Sequence, residues 1–229
     1  MSALKRLTLT MAVLVAPFLI ASGAAAAETD AQKAQKLVNA ATVTFQSFVS
    51  NPDTPWIGKH LKEARVVMIV PEQVKGAFII GATGGTGVAL AHNPYVNDWS
   101  DPAFIDLGGI SFGLQVGAKA SEVLLLAMTE AGEKALLGTK VTLGADVGIA
   151  AGPVGTGAAA GTVDLLAWSQ SKGAYLGLAL DGAVINPANK WNEAYYLQGD
   201  ILPYDILKAR TYRNPKARGL VHAVAEAAD

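Results

Sequence analysis

The sequence contains no cysteine in 229 residues. That excludes disulfides, thiolate metal sites and the lipid-bearing cysteine of a bacterial lipoprotein. Histidine is scarce as well. His60, His92 and His222 stand in separate contexts with no pair at metal-ligand spacing, so no metal is expected. Only 16% of residues are charged, and the formal net charge is −1. The basic excess that accompanies nucleic-acid binding is missing, so nucleic acid is not an expected partner. With no crosslinks, stability must come from burial alone, and roughly 200 residues suffice for one substantial core.

The first 27 residues carry an export pattern. Lys5 and Arg6 give a positive start, Met11–Ile20 is apolar, and Ala25-Ala26-Ala27 supplies small residues before Glu28. The apolar part is shorter than the roughly 20 residues a spanning helix needs. The pattern predicts a signal peptide over 1–27 and a mature chain from Glu28 that is exported to the periplasm or cell envelope. Stretch 141–163 has no basic residue, but Asp146 and Pro153 argue for two short strands rather than a transmembrane helix.

From Ala77 to Gly182 the chain is written in glycine-punctuated apolar runs, among them AFIIGATGGTGVAL, IDLGGISFGLQVGAK and AYLGLALDGAV. Glycine inside a strand marks a bulge, a sharp bend or close backbone approach. Several such strands predict a strongly coiled or barrel-like sheet. Thr29–Ser50 has the three- and four-residue apolar spacing of an amphipathic helix. It reads either as a cover over the sheet or as a membrane-seeking segment. Glu130–Leu137 reads as a helix closed by a C′ glycine, Gly138. Asn189–Tyr196 and Pro203–Arg210 read as short helices. The expectation is α+β, mainly antiparallel, with helices at both ends and no second domain.

Apparent catalytic motifs fail on context. Gly81-Ala-Thr-Gly84-Gly-Thr-Gly87 resembles a dinucleotide turn, but Asn93-Pro94 leaves only Val88–His92 for a crossover needing about 10–12 residues. A hairpin corner at Gly84, Gly85 and Gly87, with positive φ or close packing, is expected instead, and no nucleotide or other cofactor. Gly109-Ile-Ser111-Phe-Gly113 matches GxSxG by letter, yet the pattern stays extended after Gly113 instead of turning into a helix. The GPVGTG turn (152–157) lacks the Lys-Ser/Thr of a phosphate-binding loop.

The ordered set ARVVMIVP (64–71), KGAF (75–78), GGTGV (84–88), WSDPAF (99–104), SFGLQVG (111–117), LGADVGIAAGPVG (143–155), WSQSKGAYLGLALDG (168–182) and NEAYY (192–196) resembles the SYLF domain. That module occurs in eukaryotic membrane-trafficking and actin-patch proteins and in exported bacterial proteins. The resemblance covers about Ala34–Gln198, with a helical tail after 203. It marks Gly84, Gly85, Gly87, Trp99, Ser111, Gly113, Gln115, Gly117, Gly152, Gly155, Ser171 and Gly173 as motif positions. It implies a compact β-rich domain and, for eukaryotic members, phosphoinositide binding aided by an amphipathic N-terminal segment. Actin is not expected as a partner of an exported chain.

These readings converge on a non-enzymatic protein that binds an anionic phospholipid or membrane surface. Candidate phosphate-facing bases are Lys33, Lys36, Lys59, Lys62, Arg65, Lys75, Lys172, Lys208, Arg210 and Arg213. Two alternatives stay open: an envelope scaffold with a protein partner, and a hydrolase using Ser111 or Ser171.

Overall fold

A computed structural model of the chain describes residues 27–71, 84–96, 98–108, 122–151, 163–171, 174–176, 180 and 182–229. The export pattern up to residue 26 lies outside the described residues, as do Lys75, Ser111, Gly113, Gln115, Gly117, Gly152, Gly155, Lys172 and Gly173.

Helix α1 (Asp30–Ser50) opens on a capping box. Gln32 N–H donates to Thr29 Oγ1 at 3.2 Å, and Thr29 N–H donates back to Gln32 Oε1 at 2.8 Å. Pro52 follows its end, where a ring without an N–H cannot continue a helix. Helix α2 (Trp56–Glu63) leads into β1 (Val66–Val70), whose five residues are all buried. An unbroken apolar run of that kind suits a central strand covered on both faces.

The remaining elements are β2 (Gly84–Asn93), β3 (Asp98–Trp99), β4 (Ala103–Gly108), β5 (Glu122–Ala127), α3 (Glu130–Leu137), β6 (Val141–Thr142) and β7 (Ile149–Ala151). They are followed by β8 (Leu165–Ser171), β9 (Ala174–Leu176), β10 (Val184–Pro187), α4 (Asn189–Tyr196), α5 (Pro203–Leu207) and α6 (Arg218–Ala228). The strands form one sheet in the order β6-β10-β4-β2-β1-β5-β8-β7, with β3 on β2 and β9 on β8. Among the described strands only β7 and β8 pair in parallel. The architecture is the expected α+β fold.

Alternation along the strands divides the interior into two cores. On one face Val67, Ile69, Val88, Leu90, Phe104, Leu124, Leu126, Leu166 and Trp168 meet helices α1, α2, α4 and α6. On the other face Met68, Ala89, Ala91, Ala103, Leu125, Ala127 and Ala167 share a cluster with Ile185 and Leu143 from the far edge of the sheet. Residues of both edges can meet only if this face is the inside of a curl, and its alanines are the small side chains such a face has room for. Helices α3 and α5 add Ala135, Leu136, Ile206 and Leu207 to that interior. The edges come together through the turn after β6. Gly144 there has φ 82°, and Leu143 bridges Val147. The sheet is a strongly curled half-barrel.

Three expectations are corrected. Gly84, Gly85 and Gly87 form no corner: they lie within extended β2, opposite Gly108, Leu107 and Ile105 of β4. The positive-φ glycines among the described residues are Gly144 and Gly182. Val88–Asn93 continues that strand, so no crossover helix follows the glycines and the dinucleotide geometry is absent. The apolar pattern of 141–151 predicts the first of the two strands expected in 141–163, but the Gly144 turn splits it into β6 and β7. Gly138 ends α3 at φ −85°, so it is not a left-handed cap.

Candidate functional site

The family-like motifs of the described residues serve packing. Trp99 is buried and stacks on His92 at 4.8 Å between ring centroids. Ser100 Oγ accepts from Ala91 N–H at 2.9 Å, and the Asp101 carboxylate accepts from Asn214 N–H at 3.1 Å. Asn192, fully buried on α4, clamps β4: Phe104 N–H donates to its Oδ1 at 2.8 Å, and its Nδ2 donates to Phe104 C=O at 3.1 Å. Tyr195 packs edge-on to Phe104 at 5.1 Å, and Tyr196 OH donates to Pro102 C=O at 2.7 Å. WSDPAF and NEAYY are thus two halves of one joint. Burial raises the pKa of both tyrosines well above the usual phenol value, with the nearby Asp101 charge adding to it. Both phenols stay neutral. Ser171 lies in β8, beside Ala174 of β9.

The candidate bases are dispersed. Lys33 pairs with Asp30 and Lys36 with Glu28, each at 2.7 Å, near the start of α1. Lys59 and Lys62 are exposed on α2, and Lys62 donates to the terminal Asp229 carbonyl. Arg213 is exposed beyond α5. Arg65 and Lys208 alone among these are brought together by a shared partner. Arg65 Nη1 lies 3.1 Å from Glu133 Oε2, and Lys208 Nζ pairs with Glu133 Oε1. The Glu133 side chain is only 5% exposed, whereas the two cations are 49% and 39% exposed.

These three residues floor an open cleft of about 440 Å³ between α3, α5 and the start of β1. Lys134, Glu130 and Tyr204 complete its walls. Lys134 pairs with Glu130 at 2.7 Å, and both are largely exposed. Such surface pairs hold their ions loosely. The cleft therefore presents three cations against two carboxylates, one of them buried. Sequence reading missed Glu133. Its signal was a carboxylate placed on the buried side of α3, among Gly132, Ala135 and Leu136.

Beside the cleft stands the β2–β3 hairpin. His92 N–H donates to Arg65 C=O at 2.8 Å, which joins the hairpin base to the cleft. Arg210 braces it from the other side. Its guanidinium donates to Asp98 Oδ2 at 2.5 Å, to Asp98 C=O at 3.0 Å and to Ala91 C=O at 3.3 Å. Arg210 is 16% exposed and sits at φ 53°, a left-handed conformation uncommon outside glycine. It is a structural clamp rather than a free surface charge.

A second carboxylate sits on the helix-facing side of the sheet. Thr86 Oγ1 donates to Asp106 Oδ1 at 2.6 Å, but burial outweighs that bond and holds the carboxyl above its usual range. The folded chain then binds more protons than the unfolded one between the ordinary and the raised value, so stability falls as pH rises through that window. Asp106→Asn keeps an acceptor for Thr86. It is expected to raise the thermal midpoint at neutral pH and to lose that gain below the ordinary carboxylate range. An unchanged midpoint at neutral pH would overturn the assignment.

Among the described residues no group of three His, Asp or Glu gathers as a metal site, and no helix is long and apolar enough to cross a membrane.

Comparison with known proteins then places the chain. A family model described as Ysc84, a Las17-binding protein and actin regulator, matches residues 108–227. The human SH3 domain-containing YSC84-like protein 1 is 28% identical over 200 residues, covering 84% of this chain and 57% of the relative. The rat protein of the same name is 30% identical over 188 residues, 79% of this chain and 53% of the relative. LAS seventeen-binding protein 3 of Saccharomyces cerevisiae is 29% identical over 168 residues, 69% of this chain and 35% of its own length. The chain spans about half the length of the YSC84-like relatives it matches. These findings correct one expectation. Actin was set aside as a partner, whereas the matching family is described as an actin regulator.

Proposed function

Because the chain belongs to the Ysc84 family, whose module is the SYLF domain, we propose that it is a non-enzymatic docking module for an anionic phospholipid surface. The observation that carries this reading is the open cleft, where Arg65, Lys134 and Lys208 face solvent against Glu130 and the buried Glu133. Near an anionic surface each exposed base contributes about 1 kcal/mol. Lys59, Lys216 and Arg218 are also exposed, with no ion-pair partner among the described residues, and Arg213 is exposed near the Asp101 carboxylate. The export pattern at 1–27 supports a surface in the cell envelope, and an intact mass starting at Glu28 is the check. In vesicle pelleting, binding should require acidic lipid and weaken with salt, since exposed charges are screened over about 8 Å at physiological ionic strength. Equal binding to neutral vesicles, indifferent to salt, would overturn the reading.

A second reading follows from the family description. The partner is then a component of an actin-regulating assembly, and the exposed bases meet an acidic protein surface instead of lipid. Pelleting with actin filaments but not with acidic vesicles would favour it.

A further inference from the structure

We propose that the bilayer is met by the tip of the β2–β3 hairpin, with the neighbouring cleft taking a lipid phosphate, and not by the N-terminal helix. This inference rests on the membrane reading above and names the surface. The apolar side of α1 is unavailable: Ala34, Leu37, Val38, Ala41, Phe45 and Phe48 are between 0% and 2% exposed beneath it. Releasing them to a bilayer would uncover one of the two cores.

The hairpin tip has the opposite character. Tyr95 is 95% exposed and Val96 66%, two consecutive large side chains that stand outside both described cores. Single exposed apolar residues need no explanation, and Val43 on α1 is one of them. The adjacent pair at the tip is different because the chain holds it out. Tyr95 N–H donates to Asn93 Oδ1 at 3.1 Å, Val96 N–H donates to Asn93 C=O at 3.3 Å, and Arg210 ties the strand below to Asp98. The tip is thus presented on a braced turn and loses little freedom on docking.

Charge complements it. The His92–Arg65 backbone bond puts Arg65 at the hairpin base, and Lys208 meets Arg65 through Glu133. A guanidinium has five N–H donors, and Arg65 spends Nη1 on Glu133, so donors remain for a phosphate oxygen. Tyr204, 56% exposed, adds a hydroxyl at the cleft wall. Tyrosine beside cations is the composition that settles at a lipid headgroup interface, ring in the apolar boundary and hydroxyl toward water.

The absence of cysteine makes the test direct. Val96→Cys and Val43→Cys, matched in exposure at 66% and 67%, are each labelled with an environment-sensitive fluorophore. Each is mixed with vesicles of phosphatidylserine and phosphatidylcholine, and with glycerol 3-phosphate in solution. The label at 96 should brighten and shift to the blue with acidic vesicles, while the label at 43 stays unchanged. Unlabelled Tyr95→Ser should bind these vesicles about tenfold more weakly with an unchanged thermal midpoint. Lys134→Glu should weaken both vesicle binding and any response to glycerol phosphate. A response to glycerol phosphate alone assigns the cleft to soluble ligands and overturns the membrane role of the tip. Pelleting with a silent label at 96, or with a response at 43 instead, overturns this inference and leaves the proposed function standing. No pelleting of the unmodified chain overturns both.

Discussion

Phe45→Ala is expected to cost about 3–5 kcal/mol of unfolding free energy, the range for removing a fully buried aromatic side chain. Phe45 has no exposed surface and lies in the core between α1 and the sheet, with Phe48, Leu37 and Trp168. Urea denaturation reads the loss as a lower midpoint with an unchanged slope. Vesicle binding measured on the folded fraction should be unaffected, because α1 covers the sheet. The opposite pair of results, a small stability change with vesicle binding abolished, would mean that α1 leaves the sheet to act as the membrane segment.

Gly87→Ala should cost about 1–3 kcal/mol, the usual penalty for forcing an extra group into a packed interior. An added Cβ would stand 2.5 Å from the Ile69 carbonyl oxygen and 2.9 Å from Val70 Cγ2. Gly87 is paired with β4, and the next residue, Val88, is paired with β1, so β2 has no free side toward which to move. Gly219→Ala is the matched control. A Cβ there meets nothing within 4 Å, and the position is inside α6. Alanine should be neutral to stabilising there, by about 0.4–1 kcal/mol. Equal effects at both positions would remove close approach as the reason for the glycine at 87.

Some of the site was legible as local pattern. The α1 cap, the bounds of α3 at Glu130–Leu137 and of α4 at Asn189–Tyr196, and the buried run of β1 all follow from signals a few residues long. Arg65 and Lys208 were legible as bases but not as neighbours: the residues that join them through Glu133 are 68 positions apart on one side. Arg210 illustrates the opposite error. Its charge suggested a surface contact, whereas its left-handed backbone and the Asp98 and Ala91 acceptors make it a brace. Likewise, Tyr95 and Val96 sat in a polar loop, and nothing in NPYVND distinguishes an aromatic turned inward from one held in water.

By itself the sequence determined the class of fold, the helical ends and the family. Apolar period, capping chemistry and motif order act over short spans and are indifferent to what lies across the sheet. Only the tertiary structure decided what each motif is for. Gly84, Gly85 and Gly87 became strand because β4 pairs with them, while β1 holds the next residues of β2 from the other side. The amphipathic face of α1 became core because strands β1, β2, β5 and β8 offered it an apolar surface. The burial of Glu133, the bracing of the hairpin and the exposure of its tip depend on which distant residues arrive within bonding range, and that is a property of the curled sheet rather than of any segment.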